Sequence, residues 1–191
     1  MNEVERLVEA RRYNEAVQTY RSGEEPSGNP ARWHYAGALA HHYAGDLYGA
    51  RFAAERALSL DPDPDLRLLV RFRVGFLAQE LGDTHTAVEQ FSAILSEQTG
   101  DASVRSVMMG AVWYNLGRAR YQRREYQAAV TCYREAVHFY RADNLRQLLC
   151  EALHSLAWTL ALLGETEQAL EYVDEAYEFA RGDEYLFQMN Q

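Results

Sequence analysis

The fold is decided by the stretch W-Y-N-L-G at Trp113 to Gly117 and by Ala129, Tyr133 and Ala136 in the segment that follows it. A first helical segment carries the tryptophan and the glycine, and a second carries the alanines. Small residues at such positions allow two helices to cross closely. The stretch therefore predicts a pair of helices that pack against each other.

The same kind of segment recurs along the whole chain. Its central alanine is found at Ala16, Ala50, Ala87, Ala129 and Ala169, which are 34, 37, 42 and 40 residues apart. Self-similarity at a period of a few tens of residues is typical of repeat proteins. We therefore expect a stack of helical hairpins whose function lies on a surface rather than in a catalytic pocket.

The best-preserved unit runs from Ala31 to Pro62 and shows how each hairpin is closed. Gly45 can adopt the left-handed conformation that ends a helix, and Asp46 can cap the helix that follows. Pro62 stops the second helix. The unit is thus predicted to be helix, turn, helix and stop.

Applied to the whole sequence, this pattern predicts a single all-α solenoid over residues 1–191, built from about five antiparallel hairpins. The first unit is expected to be a cap with a short first helix, Glu3 to Ala10. The predicted units are approximately 1–27, 31–65, 68–100, 104–142 and 147–182, and residues 183–191 form a tail or begin an extra helix.

These features resemble the tetratricopeptide repeat family, whose pattern is W-x-x-L-G-x-x-Y followed by alanine, an aromatic residue, alanine and proline. The resemblance covers about nine-tenths of the chain. Arg120 stands where the family has a tyrosine, Ile94 replaces a small residue, and proline is missing after the last three units. The longer hairpins of the last two units resemble, more weakly, those of bacterial peptide-sensing regulators.

The resemblance implies a right-handed superhelix whose concave groove is lined by the first helix of each hairpin. Family registry then gives the residues expected to contact a peptide or protein partner. They are Arg32, Tyr35, Leu39, His42, Phe72, Arg73, Phe76, Tyr114, Asn115, Arg118, Tyr121, His154 and Trp158. Aromatic and arginine side chains are enriched where proteins bind one another, and Arg73, Asn115 and Arg118 are expected to bind peptide backbone or a carboxylate. Burial of several of these rings between neighbouring units is the alternative.

Composition narrows the classes of function. The chain has 28 acidic residues and 19 basic ones, all arginine, for a net charge of −9. Without lysine there is no Walker A motif and no Schiff-base nucleophile. A chain with this negative charge is not expected to bind duplex DNA, because binding to the phosphate backbone needs a positive protein surface. The acidic N-terminus, the lack of a long apolar run and the two unpaired cysteines predict a cytoplasmic protein without a membrane segment. The weaker resemblance to bacterial regulators implies a bacterial protein.

Four groupings suggest chemistry at first sight. They are His41 and His42 with Asp46, Glu151 with His154, Ser155 with His154, and Cys132 with His138. A metal site needs several ligands from different helices, and a nucleophile needs a base and a third group that orients it. None of the four has these partners in the pattern. The sequence therefore predicts no enzyme, no metal and no cofactor.

The predicted function is non-catalytic binding of a peptide or a partner protein in the concave groove. A first alternative is the sensory domain of a bacterial regulator whose effector domain is elsewhere. A second is a module that self-associates into homo-oligomers through its end units. A scaffold with enzymatic activity of its own is the rival from another class.

Overall fold

The computed structural model describes the backbone of residues 1–97 and 102–189, and the side chains of residues 1–97, 108–179 and 181. Within these ranges the chain forms ten helices and no strand. The predicted all-α class is confirmed. The helices are α1 (Glu3–Glu9), α2 (Tyr13–Ser22), α3 (Pro30–Tyr43), α4 (Leu47–Ser59), α5 (Pro64–Glu80), α6 (Thr84–Ser96), α7 (Ala102–Gln122), α8 (Tyr126–Ala142), α9 (Arg146–Leu162) and α10 (Thr166–Met189).

The chain divides into two compact units, Met1–Arg105 and Ser106–Gln191. In the first unit α1 packs on α2 and α3, and each later helix up to α6 packs on the one before it. In the second unit the rings of α8 contact α7, α9 packs on α8, and α10 packs on α9. The single solenoid over residues 1–191 stays a prediction.

Each hairpin turn contains one residue in the left-handed backbone conformation. In three hairpins it is glycine, with φ of +85° at Gly45, +82° at Gly82 and +83° at Gly164. In the other two it is arginine, with φ of +56° at Arg11 and +62° at Arg124. The turn geometry is therefore shared by all five hairpins, although only three of them have glycine, which adopts it without steric cost.

An aspartate caps the helix after two of these turns. The Asp46 carboxylate accepts a hydrogen bond from the backbone N–H of Gly49 at 2.9 Å, and Asp83 accepts one from that of Thr86 at 3.1 Å. Each bond satisfies one of the donors that a helix start leaves unpaired. The predicted role of Asp46 is thus observed.

The repeating alanines lie where helices touch. Ala16, Ala50, Ala87 and Ala129 have no exposed surface, and Ala169 is buried as well. Larger side chains at these positions would separate the helices. The alanine repeat therefore marks the interior of the hairpins, as predicted.

The last helix is longer than the sequence suggested. We expected a tail or a new helix from residue 183, but α10 continues from Thr166 to Met189 without interruption. Residues 190–191, and residues 98–100 at the end of the third predicted unit, lie outside the described part of the chain. Within that part, no helix is both long and apolar enough to span a membrane.

Candidate functional site

A cleft of about 490 Å³ opens between α7 and α9 in the second unit. We call it the aromatic cleft. It is lined by Tyr114, Arg118, Tyr121, Gln122, Tyr133, His154, Ser155, Trp158 and Thr159. Five of the residues predicted to contact a partner, Tyr114, Arg118, Tyr121, His154 and Trp158, are therefore brought together in one cavity.

Helical spacing explains why these side chains converge. Tyr114, Arg118 and Tyr121 are four and three residues apart on α7, and His154 and Trp158 are four apart on α9. Residues three and four apart share one face of a helix. The two faces form the walls of the cleft, and the buried Tyr133 of α8 contributes to its lining.

Hydrogen bonds join the two walls. The Trp158 indole donates from Nε1 to the Tyr121 hydroxyl at 2.9 Å. The Tyr114 hydroxyl lies 3.4 Å from Ser155 Oγ. Ser155 donates to the Glu151 carbonyl at 2.9 Å, so its oxygen is left to accept from Tyr114. These bonds hold aromatic rings in fixed positions around the cavity.

The charge of the lining is positive or neutral. It contains Arg118 and His154 and no carboxylate. Burial raises the pKa of the Tyr133 hydroxyl well above its usual range, so this phenol stays neutral at physiological pH. The cleft therefore suits a ligand with apolar side chains and a carboxylate or other acceptor group.

Asn115 is placed differently from the expectation. Its side chain is buried, and Nδ2 donates to the Ala111 carbonyl of the preceding turn at 2.8 Å. It therefore does not line the cleft beside Arg118, and we leave it out of the proposed site.

The first unit has a groove of its own, of about 390 Å³. It is lined by Glu5, Val8, Glu9, Arg32, Tyr35, Ala36, Leu39, Asp63, Asp65, Leu66 and Leu69. Three predicted contact residues, Arg32, Tyr35 and Leu39, lie here. Arg32 forms an ion pair with Glu5, which raises the pKa of its guanidinium. With four carboxylates around one arginine, this groove is acidic.

The remaining predicted residues line neither cavity. His42, Arg73 and Phe76 pack together, whereas Phe72 lies against α6. The Arg73 guanidinium lies 6.0 Å from the Phe76 ring centroid, and the His42 ring packs edge-on against the same ring at 5.6 Å. Phe72 packs on the core residue Phe91 at 5.8 Å. Burial, followed by the charge of Arg73, lowers the pKa of His42.

Four residues of the aromatic cleft were missing from the predicted set. They are Gln122, Tyr133, Ser155 and Thr159. Ser155 and Thr159 each follow a predicted residue directly, so widening the stripe on α9 by one position would have found them. Tyr133 was assigned to helix packing, which is also its role.

Two of the groupings that suggested chemistry, those of His41 and Cys132, have a structural explanation. His41 is buried and its Nδ1 lies 2.8 Å from the Asp46 carboxylate, so the pair joins α3 to the turn that follows it. Burial raises the pKa of the Cys132 thiol to about 11, which keeps it protonated and weakly nucleophilic at neutral pH. Among the described residues, no group of three or more histidine, cysteine, aspartate or glutamate side chains could hold a metal ion.

Comparison with known proteins bears on the fold. Residues 108–182 match the family model for the tetratricopeptide repeat. The predicted resemblance to the tetratricopeptide repeat family is confirmed. A search of the curated proteins found no match to the sequence.

Several solved structures share the fold of this chain. MamA from Desulfovibrio magneticus RS-1 superposes with a TM-score of 0.76 at 16% identity, over 94% of this chain and 92% of that one. RapI in its apo form gives 0.78 at 17% identity, over 95% and 69%. The quorum sensor NprR from B. thuringiensis gives 0.75 at 18% identity, over 92% of this chain and 51% of that one. At these identities the likeness concerns the fold alone.

Proposed function

We propose that this protein is a non-catalytic binding protein that holds a peptide segment of a partner in the aromatic cleft. The observation that carries the proposal is the convergence of four tyrosine and tryptophan rings, Arg118 and His154 on one cavity of about 490 Å³. Peptide-sized ligands are commonly held by apolar and aromatic walls with a few polar groups that fix orientation. The lining of the cleft has this composition.

Each part of the lining has a role in the proposed complex. The rings of Tyr114, Tyr121 and Trp158 bury apolar side chains of the peptide at low cost in side-chain entropy. Arg118 pairs with a carboxylate, at the peptide terminus or on an acidic side chain. Ser155 already donates to a carbonyl of its own helix at 2.9 Å, so its oxygen acts as an acceptor for a peptide N–H group. Thr159 is fully buried, donates to the Ser155 carbonyl at 2.7 Å and only supports the wall of the cleft.

The experiment starts from a displayed library of random peptides selected on the purified protein. The selected peptide is then titrated by calorimetry into wild-type protein and into the variants Arg118→Ala and Trp158→Ala. Each variant should weaken binding, with Arg118→Ala costing roughly 1.5 to 3 kcal/mol, the scale of a hydrogen bond to a charged group. Tyr48→Ala, on an exposed tyrosine of α4, is the matched control and should bind as wild type. Wild-type affinity in both cleft variants, with intact thermal melts, would place the binding surface elsewhere.

A regulatory role within a larger system is a second candidate, because the chain resembles the fold of a quorum sensor over about half of that sensor's length. A sensor must pass the effect of binding beyond its site. Hydrogen exchange with and without the selected peptide separates the two roles. Protection confined to α7 and α9 supports a simple scaffold, whereas altered exchange in α1 to α6 supports a sensor.

The other predictions are retained as proposals. The carboxylate-rich groove of the first unit and the net charge of −9 support a partner other than duplex DNA. A cytoplasmic location and a bacterial origin stay predictions. Self-association through the end units is the alternative to the helix-docking proposal made below, and the sedimentation measurement described there decides between them.

A further inference from the structure

The last helix carries an exposed row of large apolar side chains. Leu170, Val173 and Tyr177 are three and four residues apart on α10, so they share one face of the helix. Isolated apolar residues on a surface are ordinary, but a contiguous row marks an interaction site. We call this row, with the adjoining surface of α9, the α10 face.

The equivalent positions in the preceding hairpin are buried. Counting 40 residues back, which superposes Ala169 on Ala129, takes the row to Val130, Tyr133 and Val137 of α8. The exposed fractions are 0, 2 and 3% for Val130, Tyr133 and Val137, and 57, 46 and 63% for Leu170, Val173 and Tyr177.

The difference arises because α8 is covered by the next helix and α10 is not, within the described residues. The α8 row is covered by Leu149, Leu153, Leu156 and Leu160 of α9. In the first unit, α4 is covered in the same way by Leu66, Val70, Val74 and Leu77 of α5. Each covering helix presents apolar residues three or four apart along one stripe. The apolar stripes of α5 and α9 therefore show what kind of helix would cover the α10 face.

The α10 face is shaped to receive a helix. A groove of about 180 Å³ runs between α9 and α10, with Ala157, Ala161 and Ala169 among its lining residues. Leu170 and Val173 line it from α10. Small residues allow a docked helix to approach closely, and the larger ones fit between its side chains.

Charge specifies the chemistry of the partner. Beside the apolar row lies an exposed acidic row, formed by Glu167, Glu171, Asp174 and Glu178. From Thr166 to Phe179 the sequence contains no arginine or lysine. A partner helix must therefore present basic residues along one edge of its apolar stripe.

We propose that the α10 face docks an amphipathic helix of a partner protein, with apolar residues spaced as in α5 and α9 and arginine or lysine along one edge. A second copy of this chain is a poorer occupant. Its α1 exposes one base, Arg6, between the acids Glu3 and Glu9, and so offers no basic edge. Two α10 faces brought together would oppose their acidic rows. The α10 face adjoins the aromatic cleft, because His154 and Trp158 line both cavities. The apolar row of α10 and its acidic neighbours lie outside the cleft, so variants of α10 test this proposal separately.

The test uses a fluorescein-labelled synthetic peptide of 18 residues, with leucine at the spacing of Leu149, Leu153, Leu156 and Leu160 and arginine along one edge of that stripe. Two control peptides have the same composition in scrambled order, or glutamate in place of arginine. Fluorescence anisotropy with the full chain should show binding of the first peptide, weakened as the NaCl concentration rises. Equal binding of the scrambled peptide would overturn the proposal.

Variants then locate the site. Leu170→Ser with Val173→Ser should weaken binding by about tenfold or more, because apolar anchors carry much of the affinity of such interfaces. Tyr48→Ser with Phe52→Ser, which removes an even more exposed pair on α4, should change binding less than about twofold. Glu171→Arg with Asp174→Arg should transfer preference to the glutamate peptide. Unchanged binding in the α10 variants would overturn the proposal.

Sedimentation of the protein without peptide addresses the second copy as occupant. We expect a monomer, in the wild type and in the variants alike. A dimer that Leu170→Ser with Val173→Ser dissociates would show that a second copy covers this face and would overturn the proposal. Circular dichroism melts confirm that each variant is folded.

Discussion

At the scale of single residues, two glycines of α7, Gly110 and Gly117, leave room for aromatic rings of α8. A Cβ added to Gly117 would lie 2.7 Å from Cε1 of Tyr133, and one added to Gly110 would lie 2.5 Å from Cε1 of Tyr140. In both cases a ring of α8 packs against the backbone of α7. The glycine of the W-Y-N-L-G stretch is therefore needed for close approach rather than for an unusual backbone angle.

Replacing Gly117 by a larger residue should destabilise the second unit. Gly117→Ala adds a methyl group where the buried Tyr133 ring lies, and overpacking of this kind costs about 1 to 3 kcal/mol. The helix propensity of alanine offsets about 1 kcal/mol of that. We expect a net loss of about 1 kcal/mol in urea denaturation. Gly28→Ala, where the added Cβ meets no atom within 4 Å, is the control and should be neutral; an equal loss there would remove the packing explanation.

The turn residues with positive φ give a second prediction at this scale. Arg124 holds φ of +62° with its side chain exposed, which costs about 1 kcal/mol relative to glycine. Arg124→Gly should therefore raise the free energy of unfolding by about 0.5 to 1 kcal/mol. Gly164→Ala, at φ of +83° in otherwise open space, should lower it by about 1 kcal/mol. Thermal melts of both variants measure the pair, and shifts of the same sign would contradict the prediction.

At the scale of the helix, the capping aspartates link stability to pH. Hydrogen bonds from the backbone and side chain of Thr86, and then the ion pair with Arg51, lower the pKa of Asp83. Arg51 Nη2 lies 2.8 Å from the carboxylate. Because the folded pKa lies below the unfolded one, the stabilisation is fully present above the unfolded pKa and is lost as the pH falls through the folded pKa.

Two substitutions separate the cap from the charge. Asp83→Ala removes both the cap and the charge and should lower the free energy of unfolding by about 1 to 2 kcal/mol at pH 7. Asp83→Asn keeps a capping oxygen and should cost less, while flattening the loss of stability below about pH 4. Denaturation of the two variants between pH 3 and pH 7 measures both effects. An acid slope in Asp83→Asn equal to that of wild type would assign the pH dependence to other carboxylates.

Features of the helices that depend on neighbouring residues could be predicted from the sequence, and those that depend on distant partners could not. Gly45, Asp46 and the buried alanines follow from local geometry. Arg32 was expected to face a ligand, but it pairs with Glu5, which is 27 residues away and is brought near by the packing of α1 on α3.

In the candidate site, too, the sequence predicts what helical spacing determines and misses what depends on individual hydrogen bonds. The helical period placed Tyr114, Arg118 and Tyr121 on one face of α7, and these residues do line the cleft. Asn115 was assigned to the same stripe, because the pattern does not reveal that its amide has an acceptor four residues earlier in its own helix. A polar side chain near the edge of a stripe can bond to backbone or to a ligand, and only the three-dimensional structure distinguishes the two.

At the scale of the whole molecule, the described helices pack mainly on their neighbours in sequence. The described helix pairs are sequential, except that α1 also packs on α3. Local contacts of this kind lower the entropy cost of closing loops, and helical proteins that contain them fold quickly. We expect the main refolding phase to be complete within about a tenth of a second in stopped-flow fluorescence. A main phase lasting many seconds would show that non-local contacts limit folding.

The exposed position of the Trp158 indole at the edge of the cleft has an optical consequence. Of the three tryptophans, Trp33 is 9% exposed, Trp113 is partly buried and Trp158 is 58% exposed. Light emitted by Trp158 should therefore be the red-most component of the spectrum and the one that acrylamide quenches first. A ligand that enters the cleft displaces water from this indole, which shifts its emission to the blue and shields it from the quencher. Because Trp158 lines both the aromatic cleft and the groove beside α10, its emission reports, without a label, on a ligand at either site.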